Sequence, residues 1–177
     1  MKTILVIVNG VSQSGKDSFV NFAVEHLKTR GCPVLKHSTI DTPKEMAKIA
    51  GWNGTKNPAS REMLEELKQW WIKHFDGPRV QVGETVRCLS EINPISNPDA
   101  VAVVFTMCRE PDEIKKMVDW CAEVGYIYHT VCIIARGDTI SKDVAVEQYE
   151  YSEYIPNDQD LHQLNLKAMQ FVNVLMY

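Results

Sequence analysis

Nine residues near the start of the chain, Gly10-Val-Ser-Gln-Ser-Gly15-Lys16-Asp17-Ser18, satisfy G-x-x-x-x-G-K followed by oxygen-bearing side chains. Residues of these types at this spacing can cradle a polyphosphate. Glycines let the backbone wrap closely with its N–H groups turned inward, in φ > 0 conformations that other residues resist. The lysine meets the outer phosphates, and a helix opening at that point adds partial positive charge. The expected ligand is a nucleoside triphosphate, ATP, held by Gly10, Ser12, Ser14, Gly15, Lys16, Asp17 and Ser18, with Lys16 reaching its β- and γ-phosphates. Mg2+ follows from the triphosphate. Position 17 carries Asp where Ser or Thr usually ligates that metal, so Asp17 and Ser18 are the candidate metal ligands. A carboxylate there is a hard oxygen donor that can bind the metal, hold a metal-bound water, or orient an acceptor. No Walker-B-type Asp is evident, because the apolar run from Val101 ends in Thr106-Met107-Cys108.

Phosphoryl transfer needs two anionic substrates in line and cations around the moving group. Arg61 and Lys68, seven residues apart, fall on one polar helix face where they could grip an acceptor phosphate, or else form a solvated ion-pair face with Glu65. Arg109 follows an apolar strand at its carboxyl end, where ligands collect in open α/β sheets; a turn before Pro111 is the plainer account. Asp41 stands at the mouth of the same region, either orienting an acceptor hydroxyl or metal-bound water, or serving a turn or cap before Pro43. Lys44 is a further phosphate candidate, with a solvated lysine as the alternative. Lys16, Asp17, Arg109 and Asp41 are thus the catalytic candidates, and Asp41, Lys44, Arg61 and Lys68 the acceptor-binding ones. Arg136 is added on the triphosphate side.

These residues need strands and helices to position them. Thr3 to Val8 is a continuous β-branched apolar run, the pattern of a strand buried on both faces of a parallel sheet. A helix follows with Phe19, Phe22, Ala23 and Leu27 at helical spacing, closing into Gly31 and Pro33. Further strands fit Val34 to His37, Val101 to Thr106, Tyr128 to Ala135 and Tyr154 to Pro156. A helix fits Pro111 to Val124, and another begins near Gln159 with Leu161, Leu164, Ala168, Phe171 and Leu175 on one face. Roughly sixty residues separate the second and third strands, more than one crossover helix needs. Within them Asn57 caps and Pro58 opens a helix whose apolar face is Met63, Leu64, Leu67, Trp70 and Trp71, ended by Gly77 and Pro78. Val82, Val86, Leu89 and Ile92 suggest another helix. Trp52, Trp70 and Trp71 could stack a base, although core packing is the commoner use of such residues. The result is one domain spanning 1–177, an α/β sandwich with a helical insertion at 38–100 and a further segment at 136–151 between the fourth and fifth strands.

Composition narrows the class. The chain has 177 residues, 45% hydrophobic and 24% charged, ordinary for one globular domain. A net charge of -4 removes the electrostatic footprint of a nucleic-acid binder. Five cysteines without a close pair read as reduced, mostly buried thiols, and the five histidines lack metal-ligand spacing. The apolar run at Ile4 to Val8 is too short for a signal core or a membrane span, so a cytoplasmic protein without a membrane partner is expected, monomeric or homodimeric.

Ser14-Gly15-Lys16-Asp17-Ser18 resembles the SGKD[ST] phosphate loop of bacteriophage-type deoxynucleoside monophosphate kinases, a variant also found in phosphomevalonate kinases. Ser38-Thr-Ile-Asp41, Gly51-Trp-Asn-Gly54, Arg61 with Leu64 and Glu66-Leu-Lys68, and Cys108-Arg-Glu-Pro111 are similar to segments of phage and bacterial nucleotide kinases of the first group, as is the closing Tyr154-Ile-Pro-Asn157-Asp158. The resemblance implies a P-loop NTPase three-layer sandwich, a five-stranded parallel sheet of order 2-3-1-4-5, with the acceptor nucleotide held by the insertion between strands 2 and 3. It also implies ATP-dependent phosphoryl transfer to a small-molecule nucleotide, a (deoxy)nucleoside monophosphate. The lid-like segment at 136–151 departs from adenylate-kinase-like lids in offering only Arg136 and Lys142 as cations, beside solvated Asp143 and Glu147. A kinase of another small molecule, or an ATP-binding regulator without turnover, are the competing readings.

Overall fold

Strand β1, Lys2–Asn9, is buried from Thr3 to its end, and its alternate side chains feed two separate cores. Ile4, Val6 and Val8 face one side; Leu5 and Ile7 face the other. Such a strand must lie in the middle of a sheet covered on both faces. The computed structural model describes residues 2–92, 101–135, 146 and 148–176, and in it β1 sits between β3 (Val101–Met107) and β4 (Ile127–Ala135). Strand β2, Val34–Ser38, flanks β3, and β5, Glu153–Asn157, flanks β4. All pairs are parallel and the order is β2-β3-β1-β4-β5, with Val6 opposite Phe105 on one side and His129 on the other. The expected sheet is present.

Helix α1, Lys16–Thr29, covers one face with Phe19, Val20, Ala23 and Leu27, joined by the last helix. Among the described residues, two helices cover most of the opposite face. Val82, Val86 and Leu89 of α4, Gly77–Ile92, pack beside Ile114, Met117 and Cys121 of α5, Pro111–Val124. The three- and four-residue steps in α4 thus form a helix despite their β-branched residues, because burial outweighs their mild strand preference. The last helix, α6, spans Leu161–Leu175, with Asp160 accepting from the Gln163 amide. Leu161 is 63% exposed, contrary to its expected place on the apolar face, since it opens the helix before the face turns toward α1.

The material between β2 and β3 holds α2 (Asp41–Ile49) and α3 (Pro58–Phe75) before α4. Helix α2 stands where the sequence suggests only a turn or cap at Asp41. Asn57 does cap α3, accepting from the Ser60 amide at 2.8 Å. Asp76 ends α3 in the left-handed region at φ 49, and Gly77-Pro78 opens α4 instead of only closing α3. A Cβ on Gly77 would lie 2.1 Å from the Trp71 ring, so that indole requires glycine there. The expected apolar face of α3 is its covered side, but only in part, with Met63, Leu64, Leu67 and Trp71 half-buried. Ser60 and Lys68 are its buried residues, while Trp70 is 47% exposed against His74 and Phe75. The reason is placement: α3 rests on α2 and α4, off the sheet, and its ridge meets only partial cover.

His37 on β2 faces Thr106 Oγ1 at 3.1 Å through Nε2 and Thr85 Oγ1 at 3.4 Å through Nδ1. Burial lowers its pKa from 6.5 to about 4, with the Asp41 charge opposing. The unfolded chain therefore binds a proton that the folded one refuses, and stability falls as the pH drops from 6.5 to about 4. The loss should approach about 1.4 kcal/mol per pH unit inside that window. Urea midpoints across this range are expected to show a slope that His37→Gln flattens; equal slopes would remove His37 as its source.

Candidate functional site

β1 delivers the chain to the phosphate-type loop, and three close packing arrangements shape that loop. Gly10 has φ 148, and a Cβ on it would lie 2.6 Å from both the Ile133 carbonyl oxygen and Ser14 Oγ. Gly15, at φ 91, faces Asn157, whose Nδ2 donates to the Ser14 carbonyl at 2.9 Å. Asn9, fully buried, accepts from the Gly10 amide at 2.7 Å and donates to Tyr151 Oη at 2.5 Å and to the Arg109 carbonyl at 3.2 Å. One amide side chain thus joins the loop, the end of β3 and the residue entering β5. Burial pushes the Tyr151 phenol well above its ordinary range, which keeps that hydroxyl neutral. None of Asn9, Tyr151 and Asn157 was singled out from sequence for this role. The available signal was a polar residue closing a wholly apolar strand directly before Gly10.

Lys16 opens α1 and folds back so that Nζ donates to the Val11 carbonyl at 3.2 Å. Ser14 is fully buried, and its Oγ has no partner among the described residues. Asp17 is exposed in the first turn of α1.

A cavity of about 480 Å³ opens from this helix start toward the carboxyl ends of β2 and β3. It brings together seven residues selected from sequence: Lys16, Asp17, Asp41, Lys44, Arg61, Lys68 and Arg109. Gly10, Ser12, Ser14 and Ser18 belong to the loop and its helix but not to the cavity lining; Arg136 lies outside the described residues. The lid-like stretch 136–151 is likewise outside them except for 146 and 148–151.

Asp41 Oδ2 accepts from the Ser38 amide at 2.8 Å and its other oxygen lies 3.5 Å from Lys44 Nζ, so local structure orients this carboxylate at the cavity wall. Arg61 and Arg109 are exposed and make no ion pair among the described residues; the alternative pairing of Arg61 with Glu65 is absent there, and Glu65 accepts from Gln69 instead. Lys68 differs from expectation. Its side chain is 5% exposed and its Nζ lies 2.5 Å from Glu110 Oε1, a carboxylate brought in from the end of β3. Burial alone would raise the Glu110 carboxyl, but the Lys68 charge and hydrogen bond outweigh it and hold it below its ordinary range. Trp52, Trp70 and Trp71 are absent from the lining, where no aromatic ring occurs among the described residues. Trp52 donates instead to Ser60 Oγ.

Asp17 and Asp41 put two hard oxygen donors on one cavity beside Lys16, a donor set that fits Mg2+ shared with phosphate oxygens.

No family model matches the chain, and no curated protein matches it. Solved structures do. The APS kinase CysC of Mycobacterium tuberculosis, as a Cys556Ala mutant, superposes with a TM-score of 0.55 at 13% identity, covering 99% of each chain. The same enzyme in complex with AMPPNP and APS gives 0.55 at 12% identity, again over 99% of each chain. The crystal structure of APE1195 gives 0.58 at 12% identity, over 99% of this chain and 98% of that one. At these identities the likeness is one of fold, that of a P-loop NTPase.

Proposed function

We propose that this chain transfers the γ-phosphoryl group of ATP, with Mg2+, to a small anionic acceptor, a (deoxy)nucleoside monophosphate. The observation that carries the reading is the convergence of Lys16, Asp17, Asp41, Arg61 and Arg109 on one cavity beside the glycine loop. In this reading the loop amides and Lys16 hold the triphosphate, and Asp17, with Asp41 near, would hold Mg2+, which would supply charge neutralisation at the outer phosphates. Arg61 and Arg109 hold the acceptor so that one of its oxygens meets the γ-phosphorus. The bond to the β-phosphate oxygen breaks as the bond to the acceptor oxygen forms, and ADP leaves. A fold neighbour described with AMPPNP and APS supports nucleotide binding by this architecture.

One feature favours a second reading. The lining offers Ser38, Thr39 and Asp41 but no ring to stack a base among the described residues, which suits a small hydroxylated acceptor. ADP release from ATP and Mg2+ with a panel of nucleoside monophosphates and small hydroxylated compounds separates the two. Release with none of them, while ATP still binds, would defeat both and leave the regulator.

Arg61→Ala tests the acceptor side. A charge-assisted guanidinium contact to phosphate is worth roughly 1.5–3 kcal/mol, so acceptor KM should rise about 10- to 100-fold while ATP KM holds. An unchanged acceptor KM would take Arg61 out of the site.

A further inference from the structure

Helix α3 carries Arg61 to the cavity, yet little apolar surface holds it there. Its buried residues are Ser60 and Lys68, and the rest of its length is half-buried or exposed. What ties it to the carboxyl end of β3 is the ion pair of Lys68 with Glu110, formed across 42 residues of sequence. Glu110 occupies the N-cap position of α5, but its side chain makes no capping bond. It turns away from its own helix, giving Oε1 to Lys68 while Oε2 lies 3.5 Å from the Cys108 thiol. A second, looser tie runs parallel to the first, with Asp76 at the end of α3 standing 3.8 Å from Lys116 of α5. Two charges on α3 are thus matched by two on or beside α5. Lys68 lies seven residues, close to two helical turns, beyond Arg61, on the same face. Wherever Lys68 is held, Arg61 is aimed.

We propose that Glu110 is a positioning residue that, through Lys68, holds α3 against the end of β3 and sets where Arg61 meets the acceptor. Lys68 then acts through its partner and does not touch substrate. The inference rests on the reading of this cavity as the acceptor site. A buried charge left without its partner is far costlier than the pair is worth, so the latch is sensitive to either half. It also explains why a lysine lies fully buried on the side of α3 that Leu64, Leu67 and Trp71 cover only in part.

Hydrogen exchange and steady-state kinetics test this on the full chain. In Lys68→Met and Glu110→Gln the α3 amides should exchange at least ~10-fold faster, with β1 and α1 amides as the unchanged internal reference. With the panel's fastest nucleoside monophosphate as the probe, acceptor KM should rise about tenfold with ATP KM unchanged, because Arg61 loses its aim. The exchanged pair Lys68→Glu with Glu110→Lys should recover much of both, which guards against variants that merely fold poorly. Faster α3 exchange with acceptor KM unmoved would make the pair structural only and overturn the proposal. A raised KM in Lys68→Met with α3 exchange unmoved would place Lys68 on the substrate and overturn it equally. If the wild type transfers no phosphoryl group at all, the assigned activity fails, and α3 exchange in the two variants still decides the latch.

Discussion

Lys16→Ala is expected to lower ADP release on the order of 10²- to 10³-fold, the scale of removing one preorganised donor from a developing charge. The ammonium is held close to the loop by its bond to the Val11 carbonyl, so it needs little reorganisation to meet a phosphate in the cavity it lines. Its loss should not disturb the fold. The residues of α1 that enter the core are Phe19, Val20, Ala23, Val24 and Leu27, and Lys16 is only half-buried at the helix start. Circular dichroism and the thermal midpoint should therefore match the wild type while turnover collapses. Turnover within about twofold of the wild type would remove the loop from the chemistry.

Gly10→Ala should damage both the fold and the site. The new methyl would fall 2.6 Å from the Ile133 carbonyl oxygen, an atom of β4, and equally close to Ser14 Oγ. β4 cannot retreat without breaking its register with β1, where Val8 faces Val131 and Asn9 faces Cys132. Overpacking of this kind costs roughly 1–3 kcal/mol and a positive φ at a residue with a Cβ about 1–2 more. A loss of about 3 kcal/mol should lower the melting midpoint of a chain this size by roughly 6–12 °C. ATP binding should weaken too, since the loop can yield only by moving. A midpoint within about 2 °C of the wild type, with intact binding, would show that the close approach is not maintained in solution.

What could be read from the residues alone follows from how locally each feature is determined. β1, the glycine loop and α1 are consecutive, and apolar periodicity with glycine chemistry specifies them without help from the rest of the chain. The sheet order came through family likeness and stands in the structure. The cavity lining was also largely legible, because cations and carboxylates at strand ends in an open α/β sheet have few other places to converge. The burial of Lys68 is not legible in the sequence, because helical spacing shows which residues share a face but not which face is covered. Its partner lies 42 positions away. Asn9 was missed for the same reason, with Tyr151 at a separation of 142. Helix α2 escaped notice because Pro43 in its first turn reads equally well as a turn signal.

The bond from Asn157 to the Ser14 carbonyl spans 143 residues and bears on how the protein is made. Synthesis produces the glycine motif well before Asn157 and Leu164, the side chains against which Gly15 is seated. β1 meanwhile waits for neighbours on both sides, β3 and then β4, before its edges are paired. A chain released before β5 therefore carries the whole motif without a seat for it. A nucleotide held as proposed would therefore stabilise only a chain that already contains β5 and the start of α6, and could not template the earlier stages of folding.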